Sequence, residues 1–472
     1  MQFYINPRDF EGNSIHIIPV LEKRVDEILE GKLQSKIKPS LFSGKKDTTF
    51  LLESEEKVFL LIGLGENPNS WEIEKSFRRI LSKNQDLVEK KITLNFHDLI
   101  SKDLIENALV GFQLGSYSLG FYKKQKPRDF GDLKVSILSN HKTIEKIASR
   151  SQKIAKAKME GFKLVDLPPN ELTPEYLANW AIEKSENLKI KTEIFNEEKA
   201  NKEGLKAFLA VGRGSSKPSK FIILEYRNPN AKFHLGLVGK GVTFDTGGLN
   251  IKTAGMVYMK SDMGGAAAVL AATQLIADLE LEINLTTIVP AVENSVDKDA
   301  YLPSEVIGSH AGLSIEVIDT DAEGRLILAD GLSFMVKNYN PDQLIDFATL
   351  TGSSVSTFGY ECGALFSNDE ILTKSLQDAG LESGEKVWPL PLWENYKSEM
   401  DSEIADIKNY NGKPIAGAIT AAKFLEAFIH EHKKWAHLDI AGVAFGDSEF
   451  SKTKSGTAFG VGLLLKFIEN QL

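Results

Sequence analysis

Apolar residues recur along this chain with two periods, and the changes of period divide it. Short runs of strand character stand at 57–63, 91–96 and 134–138. Between them, at 73–82 and 104–114, apolar positions return every three to four residues, the spacing of one helical face. This pattern predicts a small α/β domain over residues 1–145. A polar helical pattern covers 143–161, and residues 146–165 are expected to form a linker helix. Pro168, Pro169 and Pro174 then punctuate the chain. Thr173-Pro174-Glu175-Tyr176 reads as a helix start, with Thr at the cap and Pro at the first position. Beyond it, strand patterns at 206–211, 220–226, 234–238, 284–289, 314–318, 343–348 and 435–440 alternate with helical patterns at 264–279, 323–338, 415–429 and 460–470. Alternation of this kind predicts a larger second domain, 166–472, with a mostly parallel central sheet flanked by helices. In such sheets a site forms at the carboxyl ends of the strands.

Composition adds bounds. The 472 residues are 42% hydrophobic and 26% charged, which suits a globular chain of two or three domains. One cysteine, Cys362, excludes an internal disulfide framework and favours a reducing compartment. The first residues lack a basic segment followed by an apolar one, and no run of about 18 apolar residues occurs. A cytoplasmic protein with no membrane span is expected. The net charge of −9 is uneven: residues 1–150 hold 24 Lys and Arg against 21 Asp and Glu, a net of +3, and the rest carries −12. An acidic second half suits cation binding and argues against a nucleic-acid surface there.

The candidate chemistry sits in that acidic half, in three short blocks. These are Gly239-Lys240-Gly241-Val242-Thr243-Phe244-Asp245, then Lys260-Ser261-Asp262-Met263-Gly264-Gly265, then Asp319-Thr320-Asp321-Ala322-Glu323-Gly324-Arg325. Carboxylates beside glycines are what a divalent cation needs, because oxygen supplies charge and glycine permits close approach. One Asp before a helix would more simply be a cap. Asp319, Asp321 and Glu323 together repel one another unless cations neutralise them. Lys240 has two readings. It could bind phosphate, although the Gly-x-x-x-x-Gly-Lys-Ser/Thr frame is missing. It could instead ligate a metal once deprotonated, which dications would enforce. Lys252 and Arg325 suit the stabilisation of an oxyanion, or could be surface ion-pair partners. Gly63-Leu64-Gly65 lacks the third glycine of a nucleotide loop and reads as a turn. His430 and His432 read as solvated, and His437 as packed or hydrogen-bonded in a strand. Neither His-Glu-x-x-His nor Gly-x-Ser-x-Gly occurs.

With Asp346-Phe347-Ala348-Thr349-Leu350-Thr351-Gly352 and Trp435-Ala436-His437-Leu438-Asp439-Ile440-Ala441-Gly442, these blocks resemble the leucyl aminopeptidase family of dinuclear metallopeptidases. The resemblance covers roughly 165–470 and is faint before that. It implies a metal-dependent aminopeptidase that removes N-terminal residues from short peptides with a free terminus. Lys240, Asp245, Asp262 and Glu323 would hold a labile divalent ion. Asp245, Asp321 and Glu323 would hold a tighter one, the ions being Zn or Mn, with Co and Mg as further options. Lys252 would stabilise the gem-diolate, and Arg325 would hold a bicarbonate acting as base on a bridging water. Met259 would line the pocket for the first side chain, and Thr349, Leu350 and Gly352 would contact substrate. A homohexamer and a macro-like N-terminal domain are also implied. Against the family pattern, Asp319 replaces Asn, the 252–262 segment is one residue shorter, and one residue is gained between Arg325 and Thr349. The rival readings are an additional nucleic-acid-binding regulatory role, as in some relatives that bind DNA, and an inactive scaffold.

Overall fold

The N-terminal sheet has the order β1-β6-β5-β2-β4-β3, built from β1 (Gln2–Ile5), β2 (Ser14–Leu21), β3 (Thr49–Glu53), β4 (Val58–Gly65), β5 (Lys91–Asn95) and β6 (Lys134–Leu138). All neighbours run parallel except β3, which lies antiparallel to β4 on the edge. This is a computed structural model, and it describes residues 1–7, 14–33, 38–53, 57–83, 91–99 and 101–472. The predicted strands and both helices of this region form, as Ser70–Lys83 and Lys102–Leu114. The first helix buries Ile73, Phe77, Ile80 and Leu81, positions three, four and seven apart on one face. The structure separates into two compact units, Met1–Met159 with Glu449–Lys452, and Glu160–Ser448 with Thr453–Leu472.

The second unit carries the larger sheet. Its strands are β7 (Ile190–Phe195), β8 (Lys220–Tyr226), β9 (His234–Gly239), β10 (Gly241–Asp245) and β11 (Asn284–Asn294). After β12 (Val306–Gly308) and β13 (Ser314–Glu316) come β14 (Gln343–Ala348), β15 (Gly363–Ser367), β16 (Val387–Pro389), β17 (Ile407–Lys408) and β18 (Trp435–Asp439). The order is β16-β15-β18-β14-β9-β11-β8-β7, with β10 also on β11. The middle of the sheet, β18-β14-β9-β11, is parallel, and antiparallel pairs occur only toward the edges. Strands covered on both faces need continuous apolar runs. Leu235, Leu237, Val238, Leu344, Ile345 and Phe347 are accordingly buried. On one face, Phe195 of β7 and Phe221 of β8 pack with Phe208 and Phe334, the contacting ring centroids lying 5.3–5.7 Å apart.

Two expectations are corrected. Residues 206–211 are not a strand: Lys206–Gly212 is a helix. A short apolar run has no period of its own, and here the buried Asp330 carboxylate accepts Phe208 N at 2.9 Å, satisfying an amide that the helix start leaves free. The strand at 314–318 shortens to β13 and leaves the main sheet. It joins a three-stranded sheet, β12-β13-β17. The third block therefore reaches the site from beside the main sheet, not from one of its strands. The helix predicted from the prolines does form. Pro174–Ser185 begins with Thr173 Oγ1 accepting Tyr176 N at 3.2 Å.

Candidate active site

Lys240 occupies the single residue between β9 and β10, at the carboxyl end of the central strands. Its own amide donates to Phe347 O of β14 at 2.9 Å. Its side chain passes over Gly324, where a Cβ would stand 2.4 Å from Lys240 Cε, so only glycine leaves that path open. Asp245 ends β10. Asp262 precedes the helix Gly264–Asp278, and Glu323 precedes the helix Gly324–Tyr339. Neither Glu323 nor Asp321 caps that second helix through its side chain. The capping alternative for Asp321 is therefore not realised: its carboxylate lies against Lys252.

Each lysine bridges two carboxylates. Lys240 Nζ lies 2.8 Å from Asp262 Oδ1 and 3.0 Å from Glu323 Oε1, and donates to Thr349 O at 2.9 Å. Lys252 Nζ lies 2.8 Å from Asp245 Oδ2 and 2.5 Å from Asp321 Oδ1. Burial disfavours both ammonium groups, yet the surrounding carboxylates outweigh it and hold both above the ordinary lysine range. The carboxyls pay the opposite penalty. Burial first, then mutual repulsion with Asp245, pushes Glu323 up to about 7 and Asp321 to about 6. Burial raises Asp262 as well, against the pull of Lys240. One oxygen each of Asp245, Asp321 and Glu323 fall within 4.8 Å of one another. Asp319 stands outside that trio, and its Oδ1 accepts Asp321 N at 2.8 Å.

All eleven residues singled out from the sequence line one cavity of about 620 Å³: Lys240, Asp245, Lys252, Met259, Asp262, Asp321, Glu323, Arg325, Thr349, Leu350 and Gly352. Arg325 is 5% exposed, not a surface cation, and burial lowers its pKa to about 10. It donates to Asn409 O at 2.8 Å, while its buried Nε has no partner among the described residues.

Several supporting residues were not singled out from the sequence, although Asp439 lies in one of the quoted blocks. Asn294, the last residue of β11, donates to Asp245 Oδ1 at 2.7 Å and to Thr320 O at 3.1 Å. Tyr301 OH donates to Thr320 O at 2.7 Å. Asn409 accepts Ile318 N at 2.8 Å and donates to Asp319 O at 2.6 Å, tying the third block to β17. Asp439 binds Leu350, Thr351 and Ala441. A lone Asn, Tyr or Asp at a strand end looks the same whether it serves a site or a turn.

The histidines divide. His437 is buried and bonded to Asp346 at 2.6 Å, as expected for a strand residue. His430 and His432 are not merely solvated: one ring nitrogen of each is hydrogen-bonded at 2.7 Å, to Ser333 Oγ and Pro341 O respectively.

A family model described as the cytosol aminopeptidase family, catalytic domain, matches residues 162–465, and the N-terminal domain of that family matches 18–126. The chain belongs to the cytosol aminopeptidase family. A probable cytosol aminopeptidase of Chlorobaculum tepidum is 40% identical over 437 residues, 88% of this chain and 86% of its own length. The crystal structure of the cytosol aminopeptidase from Coxiella burnetii aligns with a TM-score of 0.86 at 33% identity, covering 99% of both chains. The bottromycin maturation enzyme BotP in complex with Mn aligns with a TM-score of 0.85 at 26% identity, over 97% of this chain and 99% of that one. This member of the cytosol aminopeptidase family is a metal-dependent aminopeptidase, a hydrolase acting on peptides. Neither a nucleic-acid-binding role nor an inactive scaffold is favoured. Among the described residues no helix is long and apolar enough to cross a membrane.

Proposed function

We propose that the eleven cavity residues perform peptide hydrolysis at a free N-terminus with two divalent cations. One observation carries this reading. Asp262 Oδ2 and Glu323 Oε2 are buried carboxylate oxygens with no hydrogen-bond partner among the described residues. A buried, unpartnered carboxylate oxygen is costly unless a cation meets it. The donor set fits a hard or borderline dication: four carboxylates and one amine, three of the carboxylates converging within 4.8 Å. Lys240, Asp245, Asp262 and Glu323 would hold one ion, and Asp245, Asp321 and Glu323 the other. Mn is supported by BotP, which was solved with it, while Zn, Co and Mg share the ligand chemistry.

Bound there, such ions supply Lewis acidity and lower the pKa of water. The chain's own groups do the rest. Asn294 and the Gly247 amide hold Asp245 Oδ1, at 2.7 and 2.8 Å, and so fix which way its other oxygen faces. Lys252 stands at the cavity wall and donates to the carbonyl oxygen as it gains charge. Arg325, buried with its Nε unpaired, suits a small anion, and we assign it bicarbonate as the base toward water. Met259 meets the first side chain. Thr349, Leu350 and Gly352 hold the peptide. Substrates are short peptides with a free N-terminus, a cytoplasmic setting accords with the naming of relatives as cytosol aminopeptidases, and a homohexamer is the proposed form.

The test uses paired peptides. After chelation, cleavage of an L-leucyl dipeptide should stop, and Mn, Zn or Co should restore it. The N-acetylated peptide should stay intact throughout. Equal cleavage of both peptides, or full activity without detectable metal, overturns this reading.

A further inference from the structure

We propose that Asp439 is a positioning residue of this site, holding in place the wall of the cavity that grips the peptide. The proposal rests on the assignment of Thr349, Leu350 and Gly352 to substrate binding. Asp439 ends β18 and is 1% exposed. It lies opposite Ala348, the last residue of β14, in the parallel register. Its Oδ1 accepts Leu350 N at 3.1 Å and Ala441 N at 3.2 Å, and its Oδ2 accepts the Thr351 hydroxyl at 2.6 Å. All three partners belong to residues lining the cavity.

One peptide unit shows what this achieves. The Thr349–Leu350 unit gives its N–H to Asp439, and its carbonyl accepts Lys240 Nζ at 2.9 Å. The unit is therefore pinned at both ends, by Asp439 on one side and by Lys240 on the other. Thr349 Oγ1 extends the link by donating to Asp262 Oδ1 at 3.0 Å. Thr351 Oγ1 also accepts Ser354 N at 3.1 Å and so starts the helix Gly352–Phe358. With that acceptance made, the Thr351 proton points to Oδ2. A carboxylate accepts at both oxygens, whereas an Asn would present N–H to that hydroxyl. A buried Asp could instead serve folding alone. The two roles differ in what they change: a purely structural role alters the fraction of folded enzyme, and a positioning role alters substrate affinity in the folded enzyme.

The experiment compares Asp439→Ala, Asp439→Asn and Thr351→Val in the Mn-loaded full chain. It reads kcat and KM on an L-leucyl dipeptide, metal per subunit, and amide hydrogen exchange at Leu350 and Ala441. Asp439→Ala should raise KM about tenfold, with kcat within about threefold and two metals retained, because it strips acceptors from groups that stay buried. Asp439→Asn keeps one oxygen and should recover most of that loss. Thr351→Val should raise KM about threefold. Exchange at Leu350 should quicken about tenfold in Asp439→Ala, a readout independent of turnover. Wild-type KM and exchange in folded Asp439→Ala would overturn the proposal, as would a KM change that follows metal loss. If Asp439→Ala does not fold, unchanged KM in both Asp439→Asn and Thr351→Val overturns it. Failure of the peptidase reading looks different: the unmodified enzyme would then release no N-terminal residue, and the exchange readout would still decide the role of Asp439.

Discussion

Two lysines stand among the same carboxylates, and their surroundings set them different tasks. Lys240 is 3% exposed and fastened by Asp262, Glu323 and the Thr349 carbonyl. To ligate a dication it must give up a proton that the carboxylates alone hold firmly, and only added positive charge reverses that balance. Arginine keeps its charge. Lys240→Arg is therefore expected to leave about one metal per subunit where the native protein holds two, with activity falling sharply; retention of both by elemental analysis would remove Lys240 from the ligands. Lys252 has a partly open side chain, 17% exposed, and faces the cavity. Lys252→Ala should cost on the order of 10²–10³ in turnover while metal content stays at two. Loss of metal, or near-native turnover with both ions present, would contradict that division.

The same carboxylates depend on how closely two elements approach. The helix Gly264–Asp278 begins against the ends of β9 and β14, and a Cβ on Gly265 would stand 2.0 Å from Phe347 O. Both the obstacle and the helix start are backbone, so neither moves cheaply. Gly265→Ala is expected to lower unfolding free energy by about 1–3 kcal/mol and to weaken metal retention, because Asp262 stands two residues before the start of this helix. Gly446→Ala, where a Cβ would meet nothing within 4 Å, is the control. Equal denaturation midpoints for the two variants would refute the close-approach argument. This dependence was only half legible beforehand. Gly264-Gly265 beside Asp262 is visible in the sequence as a place for close contact, but not what it contacts. The central parallel strands were legible because burial on both faces demands continuous apolar runs. Of the margins, β8 was legible, but β7, β15 and β16 were not. β7 is exposed or half-buried at every position between its ends, and β15 and β16 are short. Residues 206–211 misled because six apolar-rich residues carry no period, and the buried Asp330 that favours a helix lies over a hundred residues away. The ligand candidates were legible for a local reason, the crowding of acids and glycines into three blocks. Asn294 and Asn409 bond mainly to partners distant in sequence, so no local pattern marks them, and Asp439 stood in a quoted block with nothing local to set its carboxylate apart.

At the scale of the whole molecule, the site is a charge problem that protons or cations can solve. Burial and mutual repulsion raise Asp321 to about 6 and Glu323 to about 7 in the folded chain, against reference values near 3.8 and 4.5. Between roughly pH 4 and 7 the folded state therefore binds more protons than the unfolded one, and stability falls as pH rises through that window. By the ligand assignment proposed above, divalent ions would take the place of those protons, so their stabilisation would grow steeply over the same window and more gently above about pH 7, where only the Lys240 proton is left to displace. A ligand at about 100 times its Kd adds about 2.7 kcal/mol for each site. The expected outcome is a gap in Tm between Mn-loaded and chelated protein that is small at pH 5, widens by several degrees to pH 7.5, and goes on widening more gently to pH 8.5. Elemental analysis at each pH ties the gap to occupancy. A gap independent of pH, or largest at pH 5, would show that Asp321 and Glu323 are not the groups exchanging protons for metal.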